Sequence, residues 1–215
     1  MRWITAPGFF LMANSDLHGN APDSAVAALL LIDVINDLEF DGGELLLPHA
    51  LRAAECIRGL KERAAEAGLP AIYVNDNFGR WRSDFREVVE HTLHDGVRGA
   101  EIARLLQPEE ADYFVLKPKH SAFFATTLQT LLQHLGVKKL ILTGFAGDIC
   151  ILLSAADAYM RDYELYVPRD CIASETPQQN EEALAYMERV LSAETTSGES
   201  LDIAAIAAGE ADLTT

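Results

Sequence analysis

Five short apolar runs punctuate the chain, at residues 27–35 (AALLLIDVI), 69–75 (LPAIYVN), 113–116 (YFVL), 139–145 (KLILTGF) and 164–168 (ELYVP). Most are continuous rather than alternating, the pattern of strands buried on both faces in a parallel sheet covered by helices. Between them apolar residues return at helical spacing. Residues 49–67 put Leu51, Ala54, Cys56, Ile57, Leu60 and Ala64 near one face and stop at Gly68. Residues 124–135 end at Gly136, residues 151–160 continue directly from the Cys150 region, and residues 178–191 bring Ala183, Leu184, Met187, Val190 and Leu191 together. Shorter helices are expected near residues 84–93 and 98–105. Strand–helix–strand order repeated this often predicts an α/β fold: a doubly wound, mainly parallel, Rossmann-like sheet with helices on both faces.

In such sheets ligands bind outside the carboxyl ends of the strands, so the polar residues that close each run are the ones to read. Asp33 closes the first, Asn75, Asp76 and Asn77 the second, Lys117 the third, Gly144 to Cys150 the fourth, and Arg169 and Asp170 the fifth. Three endings therefore carry an acid, a base and a thiol. Cys150 sits where a strand passes into a helix, and free N–H groups, the helix dipole and a nearby Lys all lower a thiol pKa. Asp33 can take the thiol proton and hand it to a leaving group, so the three supply a nucleophile, a proton carrier and a charge partner. The small residues of 144–150 (GFAGDIC) let backbone N–H groups approach a reacting oxygen, as in an oxyanion hole. Strand alternation places Lys119 on the same side as Lys117, so the residues alone leave two candidates for the cation.

Composition narrows the function classes. The 215 residues fit one domain, expected over 25–215, with residues 1–24 as an arm outside the core. Seventeen basic against 33 acidic residues give a net charge of −16, which argues against nucleic acid or an anionic membrane as the partner. A small anionic substrate remains compatible, since one local cation overrides a global field. No apolar stretch reaches the length of a membrane span. The first residues, MRWITAPGFFLMANS, make a poor signal peptide, and Met12 offers an alternative natural start. Three scattered cysteines, Cys56, Cys150 and Cys171, make no disulfide framework or zinc knuckle and suit a reducing cytoplasm.

Three segments carry a resemblance. LLLIDVINDLEF, with Asp33, Asn36 and Asp37, VLKPKHSAFFATTL, with Lys117, and LILTGFAGDIC, with Cys150, follow one another at strand ends. The chain resembles, over about residues 26–197, the isochorismatase-like cysteine hydrolases, which include isochorismatases, nicotinamidases and N-carbamoyl amidohydrolases. The resemblance implies a triad in which Asp33 carries the proton, Lys117 is the charge partner and Cys150 the nucleophile. It further implies an oxyanion hole from the N–H groups of Ala146 and Cys150, a cis peptide between Phe145 and Ala146, and a homodimer or higher homo-oligomer. Two positions depart from the family pattern. Ile35 stands where a Gln is usual, and Gly147 where a Thr precedes Asp148. Nicotinamidases carry several His after the second strand to bind a metal. Here that region reads NDNFGRWRSDF, so neither a metal nor any other cofactor is expected.

These features favour a metal-independent hydrolase of a C–N bond in a small amide, ureido or carbamoyl compound. An isochorismatase-type vinyl-ether hydrolase using Asp33 as general acid is the second reading, and a non-catalytic subunit or binding module the third. Asn77, Phe78, Trp81 and Phe145 are expected to line the substrate pocket, with Arg80 and Arg82 either receiving a carboxylate or solvated. Cys56 reads as core filler, Cys171 as structural, Asp37 as a loop holder or as a group orienting the Lys, and His91 and His94 as a solvated pair.

Overall fold

The computed structural model describes residues 24–77 and 84–208. Six parallel strands form one sheet: β1 (Ala27–Ile32), β2 (Ala71–Asp76), β3 (Tyr113–Lys117), β4 (Lys139–Phe145), β5 (Glu164–Tyr166) and β6 (Ile172–Ala173). Their order is β3–β2–β1–β4–β5, with the short β6 pairing with the end of β4. The chain winds outward from β1 through β2 to β3, then returns to β4 on the other side of β1 and winds outward again. The order therefore reverses between β1 and β4, the kind of crevice where doubly wound sheets bind ligands. All six residues of β1 and all seven of β4 are buried, which is why their sequences run apolar without alternation.

Helices cover both faces. On one side α1 (Gly43–Glu66), α2 (Phe85–His94), α3 (Ala100–Leu105) and α7 (Ile203–Ala208) pack on Leu29, Leu31, Tyr73 and Ile141. On the other, α4 (Leu128–Leu135), α5 (Leu152–Tyr159) and α6 (Pro177–Leu191) pack on Leu30, Ile32, Val74, Leu140 and Leu142. Burying an aliphatic side chain contributes about 1.5–3 kcal/mol, so these two layers carry most of the cohesion. The caps follow local chemistry. Asp84 accepts the Glu87 N–H at 2.9 Å to start α2, Thr176 accepts the Gln179 N–H at 3.3 Å to start α6, and Gly136 closes α4 in the left-handed region.

Several boundaries differ from the sequence expectation. α1 begins at Gly43, six residues before His49, because Pro48 in the second turn forfeits only one backbone bond and does not stop the helix. α4 begins at Leu128 rather than near Phe124. Ala125 takes a positive φ of 54° and the Thr126 hydroxyl donates to the Ala122 carbonyl at 2.6 Å, so residues 122–127 form a turn. Cys56 is exposed, not core filler, since the buried stripe of α1 runs through Ala50, Ala53, Ala54, Ile57, Leu60 and Ala64. Cys171 is fully buried. Residues 1–23, most of the expected arm, lie outside the described residues, as do Phe78, Arg80, Trp81 and Arg82. Among the described residues no helix is long and apolar enough to cross a membrane.

Candidate active site

Asp33 is the first residue beyond β1, and it adopts φ 54°, a left-handed conformation that costs energy for any residue with a Cβ and least for Asn or Asp. Its surroundings hold it there. Its own N–H donates to the Val74 carbonyl at 2.9 Å, and its Oδ1 accepts the Asp76 N–H at 2.7 Å. Its Oδ2 meets Lys117 Nζ at 2.7 Å. Lys117 ends β3, two strands away. Its fully buried side chain reaches across the end of β2, passing Asp76 Oδ2 at 3.7 Å, and arrives 3.6 Å from Cys150 Sγ.

Cys150 comes from the far side of the crevice. After β4 the chain makes a π-helical turn, Gly147–Ile151, before α5 begins. The Ala146 carbonyl accepts the N–H groups of Ile149 and Ile151 at 3.2 and 3.0 Å and closes that turn. The Phe145–Ala146 peptide is cis, as the resemblance implies. Gly147 has a local reason. A Cβ there would collide with Asn180 Oδ1 of α6 and crowd the Ser174 hydroxyl, so a threonine requires the Asn180 side chain to move aside. Ile35 is buried in the core. Its carbonyl accepts the Asn75 side-chain N–H at 2.6 Å, while the buried Asn75 Oδ1 finds no hydrogen-bond partner among the described residues.

The electrostatics differ from the expected lowered thiol. Burial pushes the Cys150 thiol up to about 12, and the negative charge of Asp33 adds to the rise, outweighing Lys117, which pulls the other way. Burial likewise lifts the Asp33 carboxyl above the usual carboxylate range against the pull of Lys117. For Lys117 burial is the largest influence and acts downward, yet the combined attraction of Asp33, Cys150 and Asp76 leaves the ammonium above its ordinary value. The resting site is thus a buried ion pair beside a neutral thiol. Passing the thiol proton to Asp33 creates a thiolate next to Lys117 without changing the net charge of the cluster, which makes the transfer feasible in a dry site.

The structure brings Asp33, Lys117 and Cys150 together, with Ala146 in the adjoining turn. It also separates the two lysines: Lys119 is exposed, because the chain leaves β3 at Lys117 and the alternation ends there. Asp37 holds its own loop, accepting the Glu39 N–H at 3.0 Å through Oδ1. His91 lies between Asp95 at 2.6 Å and Asp37 at 3.4 Å, and His94 meets Glu90 at 3.3 Å. Asn77 is buried at the end of β2, with its N–H donated to the Lys117 carbonyl at 3.1 Å. Phe145 is a correction. Alternation along β4 turns its ring, with Ile141, into the α1-side core, away from the layer that contains Cys150. It is 2% exposed, packed in that core. Two groups have no role in the sequence pattern. Asp76 backs Lys117 and anchors Asp33, and His120 places Nδ1 3.8 Å from Cys150 Sγ. His120 follows Lys117 closely in the chain, but an exposed loop histidine has no periodicity to mark it. Among the described residues no group of three His, Cys, Asp or Glu is placed to hold a metal ion.

Comparison with known proteins bears on this arrangement. A family model described as the Isochorismatase domain matches residues 27–200. The uncharacterized isochorismatase family protein YaaI of Bacillus subtilis (strain 168) is 45% identical over 174 residues, covering 81% of this chain and 95% of its own. A probable inactive nicotinamidase of Arabidopsis thaliana is 32% identical over 168 residues, 70% of this chain and 82% of its own. Among solved structures, N-carbamoylsarcosine amidase from Thermoplasma acidophilum aligns with a TM-score of 0.63 at 28% identity, covering 82% of this chain and 98% of that one. The chain belongs to the isochorismatase family, hydrolases built on an α/β fold.

Proposed function

We propose that the protein is a cysteine hydrolase that cleaves a C–N bond of a small amide, ureido or carbamoyl compound, with Cys150 as nucleophile. The observation that carries this is the convergence of three side chains on one sulfur environment. Lys117 Nζ lies 2.7 Å from Asp33 and 3.6 Å from the thiol, at the point where the strand order reverses. The likeness to an N-carbamoylsarcosine amidase supports the bond type. The thiol proton passes to Asp33 as Sγ attacks the carbonyl carbon. The displaced π electrons go to the carbonyl oxygen, received by the N–H groups of Ala146 and Cys150. The C–N bond then breaks and the amine leaves with the proton from Asp33. Water attacks the resulting thioester, giving its proton to Asp33. The C–S bond breaks, and the sulfur recovers a proton from Asp33. Lys117 stays charged throughout and balances whichever partner is anionic.

Screening a panel of amides and ureides for ammonia release identifies the substrate. Against that substrate Cys150→Ala should fall to near background while the circular dichroism spectrum is unchanged, and Cys56→Ala should keep wild-type turnover. A Cys150→Ala enzyme within a few-fold of wild type overturns the nucleophile and leaves Asp33-driven ether hydrolysis as the alternative. We further infer a cytoplasmic homodimer or larger assembly. The unpaired state of all three cysteines supports the compartment. The large apolar side chains of Phe124, Leu153 and Met160, exposed along one groove beside the site, support the assembly.

A further inference from the structure

Taking Cys150 as the nucleophile, as proposed above, we propose that His120 is a further catalytic residue, whose Nδ1–H donates to the Cys150 sulfur once that sulfur carries charge. Asp33 and Lys117 approach the sulfur from the buried side of the site, whereas His120 is exposed. Its Nδ1 stands 3.8 Å from Sγ, close to the 3.6 Å of Lys117 Nζ, and both lie within reach of a hydrogen bond to sulfur.

That distance is built in by the hydrogen bonds around it. The Ala122 N–H, two residues on, donates to the Ser154 hydroxyl at 2.9 Å, and Ser154 Oγ donates to the Cys150 carbonyl at 2.6 Å. The Ser121 hydroxyl, next to His120, donates to Asp157 of α5 and accepts the Phe123 N–H at 3.2 Å. Asp157 is held in turn by Arg161 at 2.9 Å. The loop carrying the imidazole is thus fastened, on both hydroxyls, to the helix that follows the thiol.

The chemistry gives the donor a purpose. Lys117 is shared among Asp33, Asp76 and the sulfur, so only part of its field serves a thiolate. An imidazole N–H adds a second donor to the sulfur, from the exposed side of the site. Among the described residues the charged groups facing the sulfur are Asp33, just beyond β1, and Lys117 from β3, with Asp76 of β2 behind. α6 meets the turn through uncharged Asn180. Beside His120 itself stand Lys119 of its own loop and Asp157 of α5.

The test reads the sulfur directly. Asp33→Asn imitates the state in which Asp33 holds the proton, and removing that anion lowers the thiol titration. In this background the rate of Cys150 alkylation by iodoacetamide is followed against pH on the full chain. Adding His120→Ala should raise the midpoint by about one unit, which is about tenfold less thiolate at any lower pH. His120→Asn, whose amide nitrogen sits near the place of Nδ1, should recover most of that shift. Altered access to the sulfur changes the plateau rate but leaves the midpoint alone. An unchanged midpoint in His120→Ala, or a His120→Asn protein no better than His120→Ala, overturns the proposal. Because no substrate enters the assay, this result is independent of the turnover of Cys150→Ala.

Discussion

Replacing Lys117 by Met keeps the length of the side chain and removes its charge. Asp33 then remains buried, in a strained backbone conformation, without the cation 2.7 Å away. At an effective dielectric constant near 20 that attraction is about 6 kcal/mol. The variant also escapes the cost of burying an ammonium, so the net loss is the about 3–5 kcal/mol typical of breaking a buried pair. For a chain of this size that lowers Tm by about 6–20 °C. The loss depends on pH, and its sign is fixed. Burial already holds the Asp33 carboxyl above the usual carboxylate range, and without Lys117 it rises further. A carboxyl whose folded value lies above its unfolded value makes the folded state the better proton binder. Its stabilising contribution is full below the unfolded value, near 3.9, and is lost as pH rises through the folded one. The gap between variant and wild type is therefore widest at neutral pH and narrows on acidification. Asp33→Asn combined with Lys117→Met should recover most of the stability, because no charge is stranded and Asn tolerates the left-handed backbone. Thermal unfolding followed by circular dichroism at pH 5 and pH 7 measures wild type, the two single variants and the double variant. Equal stability of Lys117→Met and wild type at pH 7, or a double variant as weak as the single one, would refute the buried pair as a stabilising element.

Three other outcomes follow from the same geometry. Stability should decline in alkali, because the Cys150 thiol, pushed up to about 12 by burial and Asp33, keeps in the folded state a proton that the unfolded chain gives up near 9. Urea midpoints between pH 8 and 10.5 should fall less in Cys150→Ala than in wild type, and parallel curves would show the thiol contributes nothing. Gly144→Ala should not fold to a stable product, since Gly144 has φ 115° and a Cβ there would strike the Ile32 carbonyl across the β1–β4 pairing; a soluble protein with wild-type Tm would contradict this. Light scattering at micromolar concentration should report a dimer or larger, and a monomer would remove the proposed assembly.

The sheet was legible in the sequence because its strands are buried on both faces, and a short uninterrupted run such as LLLI, bounded by polar residues, suits a strand covered by helices on either side. Asp33 stands out for a related reason: an ionisable group closing an apolar run is costly to bury without a partner. Lys117 is told from Lys119 only by the resemblance, because alternation puts both on one side. β6, two residues long, exposes too little pattern to be seen. The starts of α1 and α4 depart from the sequence pattern where one residue outweighs the period, Pro48 by not stopping the helix and Ala125 by turning left-handed. Phe145 and Cys56 were each placed on the wrong side of an element, because proximity in sequence to a site or stripe does not fix the direction of a side chain. Asp76 is marked only as a polar strand ending, and its part beside Lys117, like that of His120, shows only when three strand ends are brought into one place.

β3 lies at the edge of the described sheet, paired through β2 alone, yet it carries Lys117, the cation of the proposed centre. The Asp33–Lys117 contact is therefore also a clasp, tying the outermost strand to the middle of the sheet across the top of β2. Edge strands open at lower free energy than central ones. Warming the protein should therefore pull Lys117 away from the sulfur while β1, β4 and the helices on them are still in place. On the proposed mechanism, catalytic competence then has a lower thermal ceiling than the fold. An enzyme that has lost its turnover on heating would still show full helical content, and would regain activity on cooling as the strand zips back.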